Sequence, residues 1–332
     1  KPSEFTPITS ELLKEICDST FDETEFATFL GGPDIGAAFT QLKFDHLLFT
    51  GSGNIGKHVM RAASENLVPL TLELGGKSPV IVSDTSNIDI TARRVMFNKT
   101  LNAGQICLAP DYVYVHETEK DNFVEACKNQ VNKFYSDLKY NPDYTSVINQ
   151  KHYDRLNGLL ADAKDHGAEL VEINPANEDF SQQESHKIPP TLVLNPTDEM
   201  QIMKEEIFGP LLPIKTYKDI NEPINYINKS DKPLGLYYFG NNKNEEAKVV
   251  NSTTSGGVTV NDIMGHIQQN ELGFGGVGPS GMGKYDGFDG FMNFSNNKPI
   301  YKQIGFGLDK LLDAIRPPYK GSIEDVLKKL LK

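Results

Sequence analysis

His46-Leu47-Leu48-Phe49-Thr50-Gly51-Ser52-Gly53-Asn54-Ile55-Gly56-Lys57 decides the fold class of this chain. A short apolar run stops at a glycine, as a buried strand does. Glycines then turn the chain into residues 54–66, which read as a helix. The pattern repeats at once, because residues 68–74 read as a second strand ending at Gly75-Gly76. Strands separated by helices imply an α/β fold with a parallel sheet and crossover connections.

Outward from this segment the alternation continues. Upstream, residues 9–18 open on hydroxyl side chains, carry Glu11 early and repeat Leu12, Leu13, Ile16 and Cys17 at helical spacing. Downstream, strands are expected at 79–82, 112–116, 191–194, 211–215, 236–239 and 257–261. Helices are expected at 87–101, 120–138, 150–166 and 218–228, and the polar stretch 174–183 reads as a surface loop. Beyond Gly283 the pattern becomes irregular, followed by two short amphipathic helices at 308–315 and 323–331, split by Pro317-Pro318.

Composition narrows the function classes. The 332 residues are enough for two domains, with 38% apolar and 23% charged residues. A net charge of −12 argues against a nucleic-acid groove, which needs a basic face. Three scattered cysteines, Cys17, Cys107 and Cys127, make neither a disulfide framework nor a zinc motif, so no metal is expected. A lone thiol fits a reducing compartment. Without a secretory signal or a membrane-spanning apolar run, the expected place is the cytoplasm or the cytoplasmic face of an internal membrane. The opening Lys1-Pro2-Ser3-Glu4, with no initiator methionine, reads as the start of a fragment.

Several segments carry chemistry. In the glycine-rich turn, Gly51 and Gly56 let backbone approach closely, and the helix start at Ser52 offers amides to a phosphate; a turn chosen for packing would look the same. Glu73, in Leu72-Glu73-Leu74-Gly75-Gly76-Lys77, stands at the end of a strand, where open α/β sheets place ligands. It is a candidate general base, or else a carboxylate paired with Lys77. Cys107 lies between Gly104 and Pro110 in a loop, where a thiol can act as a nucleophile. Cys127 and Cys17 share apolar helix faces and read as core. Glu205-Glu206-Ile207-Phe208-Gly209-Pro210 sets a carboxylate and a ring beside a turn, and residues 274–283 are dense in glycine.

Taken in order, Lys-Pro-Ser-Glu, Phe-Thr-Gly-Ser, Leu-Glu-Leu-Gly-Gly-Lys, Gly-Gln-Ile-Cys, Glu-Glu-Ile-Phe-Gly-Pro and Phe-Gly-Gly resemble the aldehyde dehydrogenase superfamily over nearly the whole chain. Cys-Leu-Ala-Pro-Asp-Tyr after Cys107, Ser-Gly-Gly-Val-Thr-Val-Asn-Asp before His266, and Gly-Val-Gly-Pro-Ser-Gly-Met-Gly look like the class 3 branch, which includes fatty aldehyde enzymes. The resemblance implies part of a Rossmann-type cofactor domain at 1–76, an α/β catalytic domain at 77–283 and a bridging or oligomerisation tail at 284–332.

It also implies roles. Cys107 matches the nucleophile and Glu73 the base that activates water. Lys1 and Glu4 match contacts to the adenosine ribose, Ser52 the pyrophosphate contact, Glu206 the nicotinamide-ribose carboxylate and Phe208 the ring beside it. Asn261 and His266 match class 3 positions without a catalytic role. NAD is the implied cofactor, with NADP possible; Glu4 favours NAD because a carboxylate repels a 2′-phosphate. A medium- to long-chain aldehyde substrate, a homodimer and membrane association of a longer form are further expectations. Two departures stand out: Gly53 replaces the usual threonine, and the asparagine segment that supplies an oxyanion donor lies upstream of the first motif. A CoA-acylating relative and a non-catalytic remnant are the competing readings; Glu73 disfavours the first and the Cys107–Glu73 pair the second.

Overall fold

The structure is a computed structural model, and it describes residues 1–303, 316–317 and 323–331. The chain divides into two compact units, Lys1–Phe294 and Ser295–Lys332. The first unit begins with helix α1 (Pro7–Thr20) and the short helix α2 (Pro33–Phe39). Strand β1 (Leu47–Gly51), helix α3 (Gly53–Ser64) and strand β2 (Leu70–Leu74) follow as one parallel crossover unit. Then come β3 (Pro79–Val82), α4 (Ile88–Thr100), β4 (Tyr112–His116), α5 (Lys120–Phe134), α6 (Gln150–Asp165), β5 (Glu169–Glu172) and β6 (Thr191–Leu194). The unit is completed by α7 (Gln201–Lys204), β7 (Leu211–Tyr217), α8 (Asn221–Lys229), β8 (Gly235–Phe239), α9 (Lys243–Ser252), β9 (Gly257–Val260), β10 (Gly281–Met282) and α10 (Gly287–Asn293).

Among the described residues the strands form two sheets. One has the order β1-β2-β10; the other has seven strands in the order β5-β6-β7-β4-β3-β8-β9. Neither is wholly parallel, since β10 runs antiparallel to β2 and β5 antiparallel to β6. The expected parallel sheet is therefore corrected to two mixed sheets.

Alternation along the central strands shows that both faces of the larger sheet are covered. Val80, Val82, Val113 and Val115 enter one core with residues of α4 and α5, such as Val95, Met96, Phe123 and Cys127. Ile81, Tyr112 and Tyr114 point the other way, into a core with Leu156, Ile224 and Val249 from α6, α8 and α9. Each such apolar side chain contributes about 1.5–3 kcal/mol through burial. Cys127 and Cys17 are both buried, as core positions should be.

Boundaries differ from the sequence expectation where packing gives out. The helix after Lys120 stops at Phe134, and residues 287–293, expected to be irregular, form α10. Strand β7 runs two residues further than expected, to Tyr217. In the second unit, helix α11 spans Ile323–Leu330, while the expected helix at 308–315 lies outside the described residues. Among the described residues no helix is long and apolar enough to cross a membrane.

Candidate active site

Glu73 is the next-to-last residue of β2. Gly281 of β10 pairs with it in antiparallel register, which folds the glycine-rich segment back over the strand end. Position 275 of that segment has to be glycine: a Cβ on Gly275 would lie 2.2 Å from Gly283 O and 3.2 Å from Glu73 Oε1. Glu73 is thereby 4% exposed, and among the described residues neither carboxylate oxygen has a hydrogen-bond partner. Burial, with the charge of Asp286 adding to it, pushes its carboxyl up to about 8. Such a group holds its proton near neutrality yet can release it, as a general base must. The pairing with Lys77 left open from sequence does not occur.

Cys107 is carried by an unusual loop. After α4 the chain enters the left-handed region at Asn102, Ala103 and Gly104, with φ of 50, 52 and 72°. Residues held there cost on the order of 1–3 kcal/mol each unless glycine, so the surroundings must enforce the turn. Gln105 does part of this: its amide donates to Asn102 O and Ser146 O, both at 3.0 Å, and its oxygen accepts from Ile148 N at 2.9 Å. The thiol is half-buried. Burial, then the charges of Glu206 and Glu73, push it up to about 11, against the amides of Cys107 and Leu108 that face the sulfur.

The third loop brings Glu206 and Phe208. A Cβ on Gly104 would meet Gly209 O at 2.4 Å, so the cysteine loop and this loop are in direct contact. A part-buried ion pair ties them to the strand end: Lys77 Nζ donates to Asp111 Oδ1, to Ile202 O at 2.8 Å and to Glu205 O at 2.9 Å. Asp111 Oδ2 accepts from Ile207 N at 2.8 Å. The Glu206 carboxylate rests on Gly75, where a Cβ would fall 2.0 Å from its oxygen, and it accepts from Gly76 N–H. Burial and the neighbouring Asp111 push it up to about 7. Phe208 is strained at φ 46° and 36% exposed, which leaves its ring available to a ligand.

Gly53, Gly75, Gly76, Glu206 and Pro279 line one cleft of about 340 Å³. Ser52 caps α3, its hydroxyl accepting from Ile55 N at 3.5 Å. Gly56 packs the helix on β2, since a Cβ there would lie 2.8 Å from Leu74 Cδ2, and a Cβ on Gly51 would strike the Phe49 ring at 2.6 Å. The Gly53 Cβ position is open, its nearest neighbour being Pro279 O at 4.0 Å, so the departure from threonine widens the cleft mouth. A glycine-lined cleft at a helix N-terminus suits a pyrophosphate, and the Glu206 carboxylate at its wall suits a sugar hydroxyl. Lys1 and Glu4 are elsewhere: they pair with each other at 2.9 Å and do not line the cleft. Asn261 braces Gly240 through its side-chain amide, and His266 Nδ1 lies 2.7 Å from Thr259 Oγ1.

Sequence reasoning missed Asp111 and Asp286. Contacts across 34 residues leave no spacing signal, although Asp111 lies within a motif already singled out.

The profile of the aldehyde dehydrogenase family matches residues 1–300. The chain is 51% identical over 331 residues to coniferyl aldehyde dehydrogenase of a Pseudomonas species, covering 100% of this chain and 68% of that protein. A substrate-bound structure of Staphylococcus aureus AldH superposes with a TM-score of 0.87 at 40% identity, over 100% of this chain and 70% of that one. Betaine aldehyde dehydrogenase of the same organism, solved with NAD+, gives 0.77 at 27% identity over 88% of this chain and 59% of the other. The chain belongs to the aldehyde dehydrogenase family.

Proposed function

We propose that this chain oxidises an aldehyde to its carboxylic acid with NAD as electron acceptor, through a thioester on Cys107. The observation that carries it is the meeting of a half-buried thiol with a buried, unpartnered carboxylate whose pKa lies near working pH. Cys107 Sγ attacks the carbonyl carbon, and its own backbone amide is a donor for the oxyanion. A bound nicotinamide supplies the acceptor for the two electrons lost by the aldehyde carbon. Glu73, once ionised, takes a proton from water; the hydroxide oxygen attacks the thioester carbon and the C–S bond breaks, returning the thiolate. The balance is aldehyde, water and NAD+ to carboxylate, NADH and two protons. Ser52 and the α3 N-terminus would hold the pyrophosphate, and Glu206 the ribose beside the nicotinamide. Lys1 and Glu4 would meet the adenosine end, with Glu4 favouring NAD over NADP.

For substrate, the relative named for coniferyl aldehyde favours an aromatic, conjugated aldehyde. The class 3 motifs support the second reading, a medium- to long-chain fatty aldehyde. NADH formation with coniferyl aldehyde and with hexadecanal separates the two, the expected ratio of kcat/KM being about tenfold or more toward coniferyl aldehyde. The reverse ratio selects the fatty substrate. Cys107→Ser should lower turnover at least about a thousandfold; a variant that keeps its rate would end the proposal.

A further inference from the structure

Helix α4 runs an apolar stripe through Ala92, Val95 and Met96, and the next position on that stripe is Lys99. Its side chain is 1% exposed, and Nζ donates to Pro110 O at 2.8 Å. Burial brings the ammonium down to about 8, with Asp111 and Glu206 drawing it back up and Lys77 opposing them. A methionine would fill this space without desolvating a charge, so packing alone does not account for a lysine.

What the ammonium does is join the two ends of the loop that bears Cys107. Inside that loop the carbonyls on either side of Cys107 O are engaged as well. Ala109 N donates to Ile106 O at 2.9 Å, and the Tyr237 hydroxyl donates to Leu108 O at 2.7 Å. A peptide unit is planar, so holding Ile106 O also fixes the direction of the Cys107 N–H. The unit that carries Leu108 N–H lies between two units held in this way. These are the two amides that face the sulfur.

We propose that Lys99 is a positioning residue for the nucleophile: its buried ammonium clasps the neck of the Cys107 loop at Pro110 and, with Tyr237, keeps the Cys107 and Leu108 amides aimed at the sulfur. The inference rests on Cys107 being the nucleophile, but its test needs neither aldehyde nor cofactor. Iodoacetamide alkylation of Cys107 is followed by peptide mass spectrometry from about pH 7 to about pH 10. In Lys99→Met, alkylation at about pH 8 should slow about tenfold, as a rise of one unit in the thiol pKa requires, with a melting temperature no lower than that of the parent. Lys99→Gln, which keeps a donor without the charge, should fall between the two, and Tyr237→Phe should shift the profile in the same direction. A folded Lys99→Met alkylated at the parent rate overturns the proposal. If that variant does not fold, Lys99→Gln decides in its place, and failure of both to fold assigns Lys99 to stability and overturns it too. A chain that shows the alkylation shift but no aldehyde oxidation would count against the proposed function alone.

Discussion

Glu73 and Asp111 are two carboxylates of nearly equal burial, 4% and 3% exposed, treated in opposite ways by the same site. Asp111 receives a lysine ammonium and a backbone N–H, and so knits three loops together. Glu73 receives nothing, and a glycine-rich segment covers it. A buried charge without partners is costly, and it lowers that cost by keeping its proton. The contrast separates a carboxylate that holds structure from one that burial keeps protonated, the residue proposed above as the base.

The comparison breaks most decisively through turnover. Glu73→Gln should lower steady-state NADH formation by about 10²–10⁴-fold while leaving one NADH formed per active site in the first turnover. A loss below about tenfold would remove Glu73 from the role of base. Asp111→Ala should act on stability instead, costing on the order of 3–5 kcal/mol in urea unfolding, because Lys77 and Ile207 N–H lose their acceptor. A cost under about 1 kcal/mol would make the ion pair incidental. The smallest effect sharpens the contrast through pH. The folded protein holds the Glu73 proton up to about 8, whereas the unfolded chain releases it near the ordinary value of 4.5. The unfolded state therefore binds fewer protons across that window, and stability falls as pH rises through it. Glu73→Gln should match the parent melting temperature near the low end of that window and exceed it by a margin that widens toward the high end.

Much of this was legible because local signals and packing agreed. The strands Pro79–Val82, Tyr112–His116 and Thr191–Leu194 emerged residue for residue, since each is a short β-branched or aromatic run buried on both faces. Ordered motifs placed Cys107, Glu73, Ser52 and Glu206 in one region of the molecule. What escaped notice lacked a hydrophobic period. Helix α2 buries none of its residues, α9 buries only Val249, and β10 is a two-residue Gly-Met strand. The edge strand β5 has no fully buried position. Lys99 did leave a trace, a charge on the apolar stripe of α4, visible as an exception only once Ala92, Val95 and Met96 are aligned on one face.

The pairing of Gly281 with Glu73 has a consequence for how the chain folds. It joins a strand near the beginning of the first unit to a segment near its end, with the whole seven-stranded sheet made of residues in between. Contacts of such long sequence separation close late, after the loop entropy between them has been met. During synthesis the crossover unit β1-α3-β2 can assemble early, but Glu73 stays open to water until the last glycine segment has left the ribosome and docked. The surroundings of Glu73 therefore mature as one of the final events of folding, and their shielding from solvent reports that the unit has been made through to Met282.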